Sequence, residues 1–261
     1  KIDLKIHKSG VNVDISLDAK NDKNFIKGVL KSKILNTNLK FNFIYGEKSL
    51  KIYNSFFRSK NLSFGNNILI IFEPFLDIKS NFKIEDIDVE IFNKLKLEKI
   101  LTYKKLLKQI NSKNEINFNS KKFSHNFIDK LDLKFDLAYG RLNYSKNISI
   151  SDNIFNCKGS INLLEDFPLL FFDCLINLNA KKIFFKKFDI NIKEENEILN
   201  LSVKGNLSVI NNKINFKEIL MNNNYKASKE DLNYFKEKFE NIFFKDNFIK
   251  IFNLKKIKEF I

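Results

Sequence analysis

Apolar and polar residues alternate along most of the chain. Ile2, Leu4 and Ile6 alternate with charged residues, and the same pattern runs through 11–18 and 131–139. A period of two residues predicts a β-strand that buries one face and exposes the other. It favours antiparallel sheet, because the strands of a parallel sheet are usually apolar on both faces.

Short turn signals separate the alternating stretches. Ser9-Gly10 joins the first two, Asn66-Asn67 precedes the apolar run 68–72, and Asn211-Asn212 lies between two later stretches. Asn and Gly tolerate the positive φ angles that tight hairpins need. We therefore predict a mainly β fold, in which a long antiparallel meander forms an elongated curved sheet or groove.

Helical periodicity replaces the alternation in a few places, and it predicts amphipathic helices at about 91–110 and 228–260. Ser228 followed by Asp231 is a variant of the capping box that begins many helices. The stretch 180–188 fits either a helical turn or another strand. The closing helices, rich in Lys, either plug the end of the sheet or lie on anionic lipid.

The chain divides into a β-meander over 1–130, which ends in a helix-containing segment, and a second β region with closing helices over 131–261. We expect the two to form one continuous fold. The sequence begins at Lys1 directly in a strand pattern and without Met, so we expect a fragment of a longer protein.

Composition narrows the class of protein. The 261 residues are 44% hydrophobic with 29 Phe, which excludes a disordered chain. The net charge of 46 − 31 = +15 comes almost wholly from Lys, since only Arg58 and Arg141 are Arg. Surfaces that read nucleic acid usually use Arg for its planar, forked donors, so we expect no nucleic-acid partner.

Catalytic and metal-binding patterns are missing from the sequence. His7 and His125 are far apart and have no Cys or carboxylate at metal-ligand spacing. No Gly-rich phosphate loop or nucleophile elbow is present. We therefore expect a non-enzymatic protein without metal or cofactor.

The two cysteines have related positions. If Glu165-Asp166 form a two-residue turn, the residues that face each other across the hairpin have numbers that sum to 331, and Cys157 and Cys174 satisfy this sum. They are either two small buried hydrophobic residues or a cross-strand disulfide, which would need an oxidising compartment such as a periplasm. Pro168 weakens this register, because proline is confined to edges and bulges of a sheet.

The apolar stripe of each strand must meet a second sheet, a helix or something other than protein. A closed β-sandwich and an open groove lined for acyl chains both satisfy this need, and periodicity does not separate them. In the groove interpretation the lipid-facing residues are Leu39, Phe41, Phe43, Leu131, Leu133, Phe135, Leu137, Leu201, Val203, Leu207 and Val209.

A short pattern of Lys-Gly followed by alternating residues occurs at Lys27-Gly28, Lys158-Gly159 and Lys204-Gly205. Gly159 and Gly205 fall on the apolar side of their strands. A glycine there leaves room for a bend, a bulge or a close approach.

The stretches 158–164 and 201–216 resemble the C-terminal region of the AsmA-like family, which includes YhdP and TamB, and the helical stretch after Ser228 fits the end of that region. The resemblance is strongest over 131–261. It implies a segment held to the bacterial inner membrane by an N-terminal anchor outside this sequence. It also implies a periplasmic β-groove that accommodates phospholipid acyl chains and passes phospholipid to the outer membrane. The family offers no catalytic residues to carry over.

Overall fold

The computed structural model describes residues 2–8, 11–18, 24–60, 62–87, 101–119, 128–186, 190–191, 198–222 and 224–244. Within these residues, fifteen strands form one open sheet in which the strand order follows the chain. The strands are β1 (Ile2–Lys8), β2 (Val11–Asp18), β3 (Phe25–Ile34), β4 (Thr37–Gly46), β5 (Ser49–Arg58), β6 (Leu62–Ile71), β7 (Leu76–Ile87), β8 (Ile110–Asn119), β9 (Lys130–Ala138), β10 (Arg141–Ile150), β11 (Asn153–Asn162), β12 (Leu169–Leu178), β13 (Leu199–Ser208), β14 (Lys213–Met221) and β15 (Tyr225–Lys226). The helices are α1 (Lys104–Gln109), α2 (Lys181–Lys186) and α3 (Lys229–Phe243). The predicted mainly β fold is confirmed.

One pair of neighbouring strands departs from the antiparallel meander: β7 and β8 are parallel. Their connection, 88–109, contains α1 and lets β8 start from the same end of the sheet as β7. Parallel neighbours need such a long crossover, whereas antiparallel neighbours need only a hairpin. The sheet then continues through the antiparallel pair β8–β9, across the expected boundary at 130/131.

The helix predictions are confirmed where the structure describes them. The hydroxyl oxygen of Ser228 accepts from the backbone N–H of Asp231 at 3.1 Å, and the Asp231 carboxylate accepts from the N–H of Ser228 at 2.9 Å, so the capping box begins α3. The stretch 180–188 contains a helix, α2, rather than a strand. The predicted segments 91–100 and 245–260 lie outside the described residues.

Asn66 and Asn67 do not form the turn predicted at their position, because both lie inside β6. The turn comes earlier, where the backbone N–H of Ser59 donates to the carbonyl of Leu62 at 2.9 Å. The side-chain oxygen of Asn67 accepts a 2.9 Å hydrogen bond from the N–H of Asn54, which adopts φ +44° at an irregularity in β5. Asn67 therefore supports a bulge in the neighbouring strand instead of ending its own.

Cross-strand pairing organises the apolar side chains into four transverse rows, each a set of residues paired across successive strands and therefore sharing one face. We call this the apolar face and the opposite one the polar face. The central glycine row is Leu17, Gly28, Phe43, Ile52, Ile68, Ser80, Asn114, Phe135, Tyr144, Gly159, Phe172, Gly205 and Phe216. The central lysine row is Asn66, Phe82, Ile116, Leu133, Lys146, Cys157, Cys174, Val203 and Ile219.

Two outer rows flank the central pair. On one side, the α1 row is Leu50, Ile70, Ile78, Ser112, Leu137, Leu142 and Ile161. On the other side, the α2 row is Leu39, Phe57, Phe64, Ile84, Phe118, Leu131, Ile148, Phe155, Ile176 and Leu201. The glycine row crosses the sheet from β2 to β14, a distance of about 60 Å at the usual spacing of adjacent strands.

The helix α2 is fastened to the sheet by a fully buried amide, that of Asn153. Its side-chain nitrogen donates to the carbonyls of Ile150 and Ser151 at 2.9 and 2.7 Å. Its side-chain oxygen accepts from the N–H of Ala180, the residue before α2, at 2.9 Å. One side chain thus ties the β10–β11 turn to the start of the helix.

We expect Asn153→Ala to lower the free energy of unfolding by about 2–3 kcal/mol, because it leaves buried backbone groups without partners. Urea titration followed by circular dichroism measures this change. Asn179→Ala is the matched control, since the exposed Asn179 makes one long bond of 3.3 Å to the carbonyl of Asp152. Equal effects of the two substitutions would contradict the anchoring role of Asn153.

Candidate functional site

The eleven candidate lipid-facing residues belong to the apolar side of the molecule. Ten lie in β4, β9 and β13, and Val209 directly follows β13. Nine are half-buried. Leu207 and Val209 are the exceptions, with only 5% and 8% of their surface exposed. These two form part of a protein core and do not belong to the accessible part of the face.

The three glycines of the Lys-Gly pattern lie in one place, the glycine row, and aromatic rings cover them. A Cβ on Gly28 would collide with the ring of Phe43, and one on Gly159 would collide with the ring of Tyr144 and the backbone oxygen of Phe171. Gly205 is similarly closed by the ring of Phe172 and by a backbone oxygen of β14. Each glycine lets a neighbouring ring lie flat on the sheet.

The helices α1 and α2 lie on either side of the glycine row and the lysine row, where these two rows cross β9–β13. Leu107 of α1 forms a core with Ile161, against which Leu137 and Leu142 of the α1 row also pack. At the opposite ends of the same strands, Phe184 of α2 forms a second core with Ile150 and Leu178. The side chains of Ile148, Phe155 and Ile176 pack against that second core. Helix α1 therefore packs on the α1 row, and helix α2 packs on the α2 row.

The width of the gap between α1 and α2 follows from the separation, along β10, of the residues on which the two helices pack. Leu142 and Ile148 are six residues apart on β10, which corresponds to about 20 Å. A helix with its side chains is about 10–12 Å across, so helices centred on these residues leave a strip roughly 8 Å wide. We call this the inter-helix strip. It is lined by Leu133, Phe135, Tyr144, Lys146, Phe172 and the Cys157–Cys174 pair.

Helix α3 closes the strip at the last full strand, β14. The ring of Phe239 lies 6.1 Å from that of Phe216, which ends the glycine row, and Phe243 is almost completely buried beside it. A side-chain oxygen of Glu240 accepts a 2.9 Å hydrogen bond from the backbone N–H of Ile214. Helix α3 therefore covers the end of the apolar face. It also satisfies the backbone N–H of Ile214, a hydrogen-bond donor that another strand could otherwise pair with.

The first seven strands carry the same apolar rows, but their packing differs. Every fully buried hydrophobic side chain in the described part of the chain lies at or after Leu107. Phe41 and Phe43 of β4 are only half-buried, and Ile26, Ile34 and Tyr45 are at least 40% exposed. Within the described residues, the two cores formed by α1 and α2 include no residue of these strands, and α3 packs on β14. The apolar face over β1–β7 is therefore open within the described residues.

The predicted register of the cysteines is confirmed, and the disulfide alternative is the one realised. Cys157 and Cys174 are directly paired with a Cα–Cα distance of 4.1 Å and are joined by a disulfide. Pro168 does not disturb this pairing, because it lies in the turn before β12. The disulfide lies in the lysine row, at the centre of the inter-helix strip.

Sequence reasoning missed two polar groups in the strip, the ammonium of Lys146 and the hydroxyl of Tyr144. They are two residues apart on β10 and therefore share the apolar face. Neither has a hydrogen-bond or ion-pair partner among the described residues. Burial lowers the pKa of Lys146 and raises the pKa of Tyr144. The signal was present in the alternation, since Lys146 occupies an apolar position between Tyr144 and Ile148.

The polar face carries paired charges. Glu115 and Lys134 form a 3.0 Å ion pair, and Glu218 lies 3.0 Å from Lys226 and 3.8 Å from Lys204. A shallow depression of about 760 Å³ follows this face across β8–β13. Its charges lie in water and compensate one another, so it is a solvated surface.

The described residues contain no group of three or more His, Cys, Asp or Glu side chains that could hold a metal ion. The side chain of His7 and all of His125 lie outside the described part. No helix in that part is long and apolar enough to cross a membrane. No family model, curated protein or solved structure matches this chain.

Proposed function

We propose that the chain is a non-enzymatic segment of a bacterial envelope protein. Its apolar face accommodates phospholipid acyl chains during transfer between the inner and outer membranes. Burial of methylene groups at about 0.8 kcal/mol each drives the acyl chains onto the apolar rows. Over β1–β7, headgroups remain in water at the margins of the face. No bond is made or broken.

The observation that carries this proposal is the open apolar face over β1–β7. These strands present the apolar rows without any fully buried hydrophobic side chain in the described part of the chain. Exposed apolar surfaces of this extent are typical of sites that bind another molecule. The central rows continue from β1–β7 into the inter-helix strip, so an acyl chain can extend along them. At β6–β8 they contain three polar residues, Asn66, Ser80 and Asn114, of which Ser80 donates a 2.6 Å hydrogen bond to the side-chain oxygen of Asn114.

The disulfide and the resemblance support the proposed compartment. The bond between Cys157 and Cys174 is typical of an oxidising environment such as the periplasm. The resemblance of 158–164 and 201–216 to AsmA-like proteins supports the same location and an anchor in the inner membrane. The proposed partners are therefore phospholipid and, through a segment outside this sequence, the inner membrane.

The test is native mass spectrometry of the chain after incubation with phospholipid vesicles. We expect at least one bound phospholipid, and we expect Phe135→Asp to reduce the bound fraction about tenfold, because a carboxylate in the glycine row must be desolvated when an acyl chain covers it. Ser145→Asp is the matched control. It adds the same charge on the polar face of the next strand, where it is paired in register with Lys134 and Lys158.

The results separate an open groove from a closed module. Loss of lipid in Phe135→Asp with retained strand content and thermal stability supports the groove. If Phe135→Asp unfolds the chain, Phe135 belongs to a sealed core and the proposal fails. The alternative, a closed β-sandwich that acts as a structural or binding module, requires a second layer over β1–β7, and the described residues place none there. It predicts no lipid uptake.

A further inference from the structure

The inter-helix strip contains a cation where an acyl groove needs none. Lys146 lies in the lysine row between Leu133 and Cys157, to which it is directly paired. Its neighbours along the same face of β10 are Tyr144 and Ile148. An ammonium surrounded by apolar groups is unfavourable unless an anion accompanies it.

The carboxylates of the neighbouring strands cannot be that anion. Asp132 and Asp136 of β9 and Asp173 of β12 occupy the alternate positions, on the polar face. The sheet itself separates them from the ammonium of Lys146. On the polar face, by contrast, Lys158 is paired in register with Asp173. Lys146 is thus distinguished from the surface lysines both by its apolar surroundings and by its lack of a described partner.

The hydroxyl of Tyr144 supplies a second donor. Its position is about 7 Å along β10 from that of Lys146. The ring rests on Gly159, so the phenol lies flat on the sheet with its hydroxyl within the apolar face. A group that carries negative charge on several oxygens, such as a phosphate, accepts hydrogen bonds from both a cation and a neutral donor.

We propose that Lys146 and Tyr144 bind the phosphate of an anionic phospholipid whose acyl chains lie on the central rows. This deepens the proposed function and rests on it. The two donors fix the headgroup between α1 and α2. From that point the acyl chains extend along the apolar rows toward β1–β7, because α3 closes the opposite direction at Phe216 and Phe239. The phosphate is common to anionic and zwitterionic phospholipids, but a zwitterionic headgroup adds a second cation, which the ammonium of Lys146 repels in these apolar surroundings. The strip therefore prefers lipids with a net negative headgroup over zwitterionic ones.

The experiment is competition between two lipids on the intact chain. The protein is incubated with vesicles that contain equal amounts of phosphatidylglycerol and phosphatidylcholine, and native mass spectrometry gives the ratio of the two among bound lipids. We expect about a tenfold preference for phosphatidylglycerol, which is the usual scale of a charge-assisted hydrogen bond in a desolvated site. Lys146→Met should abolish the preference, whereas Tyr144→Phe should reduce the total bound lipid about threefold and leave the ratio unchanged, because both lipids carry the phosphate that the hydroxyl binds.

Lys158→Met is the matched control, since it removes the same charge from the polar face of the adjacent strand. Lys146→Met preserves side-chain length and removes an unpaired charge, so it should fold at least as stably as the parent chain. Thermal unfolding checks this. A lost preference in Lys146→Met together with a retained preference in Lys158→Met supports the inference.

Two other outcomes overturn it, and they differ. If all variants bind lipid with the same ratio of phosphatidylglycerol to phosphatidylcholine, the anionic site does not exist although the proposed function stands. If neither the parent chain nor any variant takes up lipid, the proposed function fails and the headgroup site fails with it.

Discussion

Replacing Gly159 by Ala is expected to destabilise the chain by about 3 kcal/mol. The added Cβ would collide with the backbone oxygen of Phe171 in β12 and with the ring of Tyr144. A ring can rotate away, but a backbone oxygen within a paired strand can move only if β11 and β12 separate locally. Overpacking of this kind typically costs one to a few kcal/mol, and here it also forces the Tyr144 ring off the sheet.

Gly65→Ala provides the control for this effect. Gly65 also lies inside a strand, but a Cβ there would meet only the backbone oxygen of Ser55, at an ordinary 3.6 Å. Because alanine restricts the unfolded chain more than glycine does, we expect Gly65→Ala to be neutral or to stabilise the chain by about 0.5 kcal/mol. The measurement is the urea midpoint of each variant. A Gly159→Ala variant as stable as Gly65→Ala would show that the rings do not depend on the glycine row.

The second large effect is expected from the disulfide. Cys157 and Cys174 are 17 residues apart, and closing a loop of this size in the unfolded chain stabilises the fold by about 3 kcal/mol. Unfolding should therefore occur at a lower urea concentration after addition of dithiothreitol. The double variant Cys157→Ala/Cys174→Ala should unfold at that lower concentration in both conditions.

The oxidation state of the two cysteines also tests the proposed periplasmic location. Protein isolated from an oxidising compartment should have no thiols that react with iodoacetamide before reduction and two that react afterwards. Two reactive thiols before reduction would remove the main structural support for a periplasmic location. They would leave the hairpin register intact, because the pairing of Cys157 and Cys174 also follows from the backbone of β11 and β12.

These two experiments probe adjacent parts of one surface. Gly159 allows Tyr144 to lie flat, and the disulfide joins the strands on which the Lys146 site rests. Gly159 and the disulfide both leave space in the inter-helix strip, because a large side chain at either position would fill the gap between α1 and α2. A variant that loses lipid only because this strip is distorted would also unfold more easily, whereas Lys146→Met would not.

The sequence alone determined the features that depend on a local period. Alternation placed Phe43, Phe135 and Leu201 on a common face, because side chains in a strand point to opposite sides in turn. The register of Cys157 and Cys174 was also predicted correctly, although the two-residue turn assumed at Glu165-Asp166 is a longer connection, 163–168, between β11 and β12. Ser228 and Asp231 marked the start of α3, since a capping box needs only residues that are close in sequence.

Tertiary structure alone decided what covers the apolar face. Sequence alternation is the same for a closed sandwich and an open sheet, so only the structure showed that Val209 is buried beneath α1 while Phe43 is not. The parallel pairing of β7 and β8 depends on the path of 88–109, which no local pattern encodes. Likewise, Gly28, Gly159 and Gly205 share one row, and Lys146 lies between two helices, because residues distant in sequence become neighbours only when the registers of many strands combine.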